Sequence, residues 1–143
     1  MEVVSIHLEG NPFHLTPAAM GTFRGNNFFM AKKQREAVRD GRADVIPVFL
    51  SDIPRMMREH LPIDVALMSV SPPDKHGFCS LGPSVDVSIG ALNIAKTVIA
   101  QVNRHVPRIH GDGLIHVSQI KYLVQKVFFL FSSCFLFLVI ARV

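Results

Sequence analysis

Two loops carry most of the residues that can do chemistry in this sequence. The first, Ser71-Pro-Pro-Asp-Lys-His-Gly-Phe-Cys-Ser-Leu-Gly82, joins a rigid Pro72-Pro73 start to an acid at Asp74, an imidazole at His76 and a permissive Gly77. A loop of this kind can lay backbone N–H groups and an imidazole against a carboxylate or a thioester. The plainer reading is a crossover turn whose prolines and glycines only set φ. The second loop runs from Asn103 to Gly113 and holds His105, His110 and a Gly-Asp-Gly turn, with His116 just beyond. A metal would need these imidazoles to converge, and no third ligand is spaced beside His76 and Cys79, so no metal is expected. Asn103 closes an apolar run, where a polar side chain faces the usual ligand edge of an α/β sheet or caps its own turn.

Absences narrow the chemistry. The sequence has no G-x-x-x-x-G-K-[ST] phosphate loop, no G-x-G-x-x-G and no G-x-S-x-G elbow. Its two cysteines, Cys79 and Cys134, form neither a C-x-x-C pair nor a disulfide framework, which fits a reducing compartment. Arg24-Gly-Asn-Asn27 reads either as an anion site or as a turn. The net charge of +4 is spread along the chain with no basic run interleaved with aromatics, so nucleic acid is not an expected partner.

The elements that must position these loops are legible from periodicity. At 143 residues and 49% hydrophobic content, the chain has room for one domain with a core. Val3 to Leu8 is a β-branched run ended by the turn signal Glu9-Gly-Asn-Pro12, and residues 13–25 show no period. Lys32 to Asp40 is built of helix formers, turns Ala37 and Val38 inward and stops at Gly41. Asp44 to Leu50 predicts a strand that Pro47 places at an edge or a bulge. Ser51 is the expected N-cap of a helix reaching His60, with Pro54 in its first turn and Ile53, Met56 and Met57 on one face.

Asp64 to Val70 is apolar without alternation, as in a strand covered on both sides. Val85, Ile89 and Leu92 mark a third helix capped by Ser84, and Thr97 to Asn103 and Leu114 to Ser118 are further strands. Strands alternating with short helices predict an α/β domain with a mostly parallel open sheet. Beyond Ile120 the text turns into Val127-Phe-Phe-Leu-Phe-Ser-Ser-Cys-Phe-Leu-Phe-Leu-Val-Ile-Ala141. That run is shorter than the ~18–20 residues of a spanning helix. It reads as a marginal membrane anchor, a buried final element or non-native translated sequence.

Four segments together resemble one family. They are Asp64 to Gly82 with Ser84-Val-Asp86; Arg35-Glu-Ala-Val with Gly41-Arg-Ala-Asp44; Pro47 to Arg55; and Val102-Asn103 through Pro107-Arg108 to His110-Gly-Asp-Gly-Leu-Ile-His-Val-Ser118. In order and spacing they are similar to the acetyl-CoA hydrolase/CoA-transferase family, which includes acetate:succinate and 4-hydroxybutyrate CoA-transferases. The resemblance covers roughly residues 3 to 120, so the expected organisation is a partial N-terminal α/β domain over 1–120 and an out-of-family hydrophobic tail over 121–143. It implies half of a two-domain fold with the active site between the halves, truncated at both ends.

The resemblance implies acyl-CoA:carboxylate CoA transfer through a glutamyl-CoA thioester, with the nucleophilic glutamate in a C-terminal half beyond this chain. Glu9, Glu36 and Glu59 do not match its motif, so no catalytic residue is expected here and the fragment is expected to be inactive alone. The alternatives are acetyl-CoA hydrolysis and a non-catalytic subunit docking on an intact transferase. Ser71, His76, Gly77 and Asn103 are the substrate-pocket candidates. A coenzyme A thioester enters as substrate, with no permanently bound cofactor, and short carboxylates are its acceptors. The intact enzyme is expected to be a homo-oligomer and the protein intracellular and soluble, mitochondrial if eukaryotic and otherwise cytoplasmic. A membrane location is not expected, the tail notwithstanding.

Overall fold

The computed structural model describes residues 1–6, 8, 11–83 and 85–125, with the backbone of 139–142. Among the described residues, nine strands and three α-helices follow in chain order: β1 (Glu2–Ser5), β2 (Arg24–Asn27), α1 (Lys32–Arg39), β3 (Ala43–Val45), α2 (Ile53–His60), β4 (Val65–Val70), β5 (Phe78–Ser80), α3 (Ser88–Leu92), β6 (Thr97–Val102), β7 (Leu114–His116), β8 (Tyr122–Gln125) and β9 (Val139–Arg142). Among the described residues, seven of the strands form one sheet in the order β3-β2-β1-β9-β4-β6-β8, and β5 and β7 form a separate ribbon.

β1 pairs parallel with β2 and β2 with β3, while β4 pairs parallel with β6 and β6 with β8. β9 runs antiparallel to both β1 and β4, so these two point the same way. Going along the chain, the strands step outward to one side from β1 and to the other from β4. That is the doubly wound arrangement, with its switch point between β1 and β4 and all six parallel carboxyl ends on one edge.

Three apolar clusters hold the layers together. Val4, Ile6, Ile53, Met57, Ile63, Val87 and Ala91 join β1 to α2 and α3. Ala66, Met68, Val70, Val98, Ala100 and Val102 of β4 and β6 pack under Cys79, Leu81 and Ile115 of the ribbon. A small third cluster, Leu15, Ala37 and Ala43, lies under α1.

Several expectations hold and several change. β1, α1, β4, β6 and β7 lie where periodicity put them. Pro47 falls just beyond β3, which is the edge of the sheet. α2 carries Pro54 in its first turn, but a 3₁₀ turn over Leu50–Asp52 precedes it, so Ser51 caps nothing and Asp52 stands at the N-cap. Met56 is half-buried, while Ile53 and Met57 are buried.

β4 alternates after all: Ala66, Met68 and Val70 are buried, and Val65, Leu67 and Ser69 are half-buried. Its apolar run reports two apolar faces, only one of them fully covered. α3 begins at Ser88 behind Val87, so Val85 precedes the helix, and the expected cap Ser84 lies outside the described residues. The anion-site or turn reading of Arg24 to Asn27 is wrong, because this segment is β2, an inner strand. Its Gly25 leaves no room for a side chain, since a Cβ there would lie 2.5 Å from Leu15 Cδ2. Tyr122–Gln125 extends the sheet beside β6, and the apolar run from Val127 up to residue 138 lies outside the described residues. No helix among the described residues is long and apolar enough to cross a membrane.

Met57 is 1% exposed and fills the space between β1 and the two helices. Met57→Ala is expected to lower unfolding free energy by about 2–5 kcal/mol in urea titration, by loss of transfer energy plus an unfilled cavity.

Candidate functional site

The carboxyl edge of β4 and β6 is built from hydrogen bonds that lock two loops together. Val70 O accepts from Asn103 N at 2.9 Å, so Ser71 and Asn103 leave neighbouring strands side by side. Ser71 N donates to Ser80 O at 2.8 Å, and Ser80 N donates to Ser71 Oγ at 2.8 Å. The fully buried Ser80 Oγ then accepts from Gly82 N at 3.1 Å and from Ile109 N at 3.2 Å. One serine thus ties the end of β4, the ribbon and the loop after β6. Asn103 Oδ1 accepts from His105 N at 3.0 Å, an Asx turn that starts that loop.

Further out, Asp74 organises the turn. Its Oδ1 accepts from the N–H groups of His76 at 2.9 Å and Phe78 at 2.8 Å, and its Oδ2 pairs with Arg108 Nη2 at 2.6 Å. Arg108 Nη1 also donates to Phe78 O at 3.0 Å, so one guanidinium clamps the two loops. The Phe78 N–H, then the His76 N–H and the Arg108 charge, hold the Asp74 carboxyl below its ordinary range against a desolvation that raises it. Gly77 has φ +83°, and a Cβ there would lie 2.7 Å from His116 Nε2. His116 stacks edge-on against Phe78 at 5.1 Å, and its Nδ1 meets Ser118 Oγ at 2.8 Å.

Of the four substrate-pocket candidates, Ser71 (3% exposed) and Asn103 (5% exposed) lie together on the floor of the edge. His76 and Gly77 sit at the far turn of the β5–β7 ribbon, with the His76 side chain exposed and Gly77 packed against His116. His110 is exposed and lies apart from His116 on β7. Burial pushes the Cys79 thiol up, which leaves it a poor nucleophile. Among the described residues no group of three or more His, Cys, Asp or Glu is placed to hold a metal ion.

Among the described residues, two clefts open on this edge. One, of about 460 Å³, lies against Pro72, Pro73, Val102, Arg104, Leu123 and Gln125. The other, of about 520 Å³, opens at the ends of β1, β2 and β3 and is lined by Ile6, Phe28, Phe29, Val48, Phe49, Leu50, Ile53 and Asp86. Both fall in the size range of small-molecule sites. The second cleft, the Asp74–Arg108 clamp and the Ser80 hub went unseen in the sequence. Phe28 and Asp86 were in plain view as residues, but only the sheet order brings them to one edge.

These features define a doubly wound α/β domain with ligand-sized clefts at its switch-point edge. The sequence profile of the acetyl-CoA hydrolase/transferase N-terminal domain matches residues 4–128, and the chain belongs to that family. It is 46% identical over 121 residues to the succinyl-CoA:acetate/propanoyl-CoA:succinate CoA transferase of Fasciola hepatica, covering 84% of this chain and 25% of the relative. It is 43% identical over 126 residues to the 4-hydroxybutyrate coenzyme A transferase of Clostridium kluyveri, covering 87% and 29%. Among solved structures, RipA from Yersinia pestis superposes with a TM-score of 0.67 at 26% identity over 80% of this chain and 34% of that one. The 4-hydroxybutyrate CoA-transferase from Porphyromonas gingivalis gives 0.57 at 29% identity over 73% and 28%. The chain therefore spans between a quarter and a third of the length of these relatives.

The Asp74 carboxyl is depressed in the fold, so the stability it contributes is present above its ordinary value of 3.8 and is lost as pH falls through the lower folded value. Asp74→Asn is expected to lower Tm at neutral pH. The gap between wild type and variant should narrow in melts taken below about pH 4.

Proposed function

We propose that this chain supplies the N-terminal side of an acyl-CoA:carboxylate CoA-transferase active site. In the overall reaction a carboxylate takes CoA from an acyl-CoA, releasing the first acyl group as its free acid anion and forming a new thioester. Splitting that exchange into two half-reactions, in which the first acyl group leaves and CoA is held as a thioester of an enzyme carboxyl until the second carboxylate takes it, lowers each barrier, and we assign that carboxyl to a part of the enzyme other than residues 1–143. Within the chain, Ser71 and Asn103 on the floor of the edge and Gly77 and His76 on its rim are the residues we assign to the substrate side. The observation that carries this reading is the co-linear similarity to named CoA-transferases over the very loops that fill the carboxyl edge. The names of those relatives are transferases, which supports transfer over hydrolysis.

The decisive assay uses a chimera in which residues 4–128 replace the matching segment of the Clostridium kluyveri transferase. The purified 143-residue chain is expected to transfer no CoA from an acyl-CoA to acetate, and the chimera to do so. Asn103→Ala in the chimera should lower kcat/KM by about tenfold, the scale of one lost hydrogen bond and its turn. A folded chimera that only hydrolyses acyl-CoA, or that transfers nothing, would refute the assignment.

A further inference from the structure

We propose that the apolar cleft at the ends of β1, β2 and β3 takes the pantetheine arm of a coenzyme A thioester, with the Asp86 carboxylate accepting from an amide N–H of that arm. The inference rests on the CoA-transfer reading above and adds where on this chain the cofactor-like part of the substrate lies.

Three observations carry it. First, the cleft leaves large apolar side chains of its lining in water: Phe49 is 80% exposed, Leu50 60% and Phe29 57%. A cluster of this kind at the ligand edge of an open α/β sheet marks a binding surface. Second, Asp86 is the one charged residue among the described residues of the lining, which so offer an anionic acceptor and no cation. Third, Asp86 has φ +43°, the one non-glycine residue in the left-handed region among the described residues, and its carboxylate makes no hydrogen bond or ion pair among them. An acceptor held in a disfavoured backbone state, with no internal partner to reward it, is available to a ligand.

The chemistry of the cleft then selects among the parts of an acyl-CoA. Its phosphates need cations and would be repelled by Asp86. An acyl group ending in a carboxylate would be repelled as well. The pantetheine arm is uncharged, carries methyl and methylene groups suited to Phe28, Val48 and Phe49, and bears two amide N–H donors. A volume of about 520 Å³ accommodates it.

The test titrates pantetheine, coenzyme A and adenosine 3′,5′-bisphosphate into the 143-residue chain and follows backbone amide shifts by NMR. Pantetheine and coenzyme A are expected to shift the amides of Phe28, Phe49 and Asp86 with affinities within about threefold of each other, and the bisphosphate to leave them unmoved. Asp86→Gly should weaken pantetheine binding about fivefold while Tm holds or rises, because glycine adopts the same φ without penalty. Phe49→Ser, at a site that contributes little to the core, should weaken binding with Tm unchanged. Wild-type affinity in both variants would overturn the proposal. Binding of coenzyme A with pantetheine silent would overturn it too, and would leave the transferase reading standing. If neither binds, this inference falls, and the transferase reading is decided separately by the chimera.

Discussion

The reciprocal pair between Ser71 and Ser80 is the contact on which the carboxyl edge depends. It fastens a ribbon strand to the end of an inner sheet strand by one backbone and one side-chain hydrogen bond, both at 2.8 Å. Because Ser80 is fully buried, losing either bond would strand polar groups away from water, a cost of about 1–3 kcal/mol each. The same serine accepts from Gly82 and Ile109, so the loop after β6 cannot move independently of the ribbon. Asp74 and Arg108 repeat that coupling nearer the surface, where solvent screening makes it weaker. The edge is thus tied by buried hydrogen bonds at its floor and by a screened ion pair toward its rim.

The opposite half of the sheet solves another problem. β2 reads Arg-Gly-Asn-Asn, residues that strands generally avoid, yet it lies between β1 and β3. Its polar side chains are satisfied across the sheet: Ser5 Oγ donates to Asn27 Oδ1 at 3.0 Å, and Asn27 Nδ2 donates to Asp44 O at 3.2 Å. Arg24 pairs with Asp44 on the next strand. Propensity could not find this strand, because tertiary hydrogen bonding and the close approach at Gly25 decide it. By contrast β4 and β6 were legible at once, since their apolar side chains dominate and burial suffices to form them, with only Ser69, Thr97 and Gln101 polar.

The same contrast separates what could be read of the candidate site from what could not. Ser71 and Asn103 were visible because each closes a long apolar run, and a parallel strand must deliver its last residue to the ligand edge. β5 was hidden inside a loop rich in proline and glycine, for its pairing partner is β7, more than thirty residues away. The second cleft assembles Ile6, Phe28, Val48 and Asp86 from four separate segments. Such a set emerges only once the strands are ordered. Helix α3 came out shorter than its apolar spacing suggested, because Val85 is spent beneath the ribbon and Asp86 adopts a left-handed φ that no helix tolerates.

The place of β9 follows from the same topology. β1 and β4 are not consecutive in the chain, and the edges they turn toward each other at the switch point are bridged by β9. A strand inserted there meets N–H and C=O groups on both sides without crossing a connection, and an antiparallel one can do so from a distant part of the chain. Its cost is to separate the two sets of parallel strands by one strand width, roughly 4.7–4.9 Å. One edge cleft opens on each set, the one beside β4 and β6 with Arg104 in its lining and the one beside β1, β2 and β3 with Asp86.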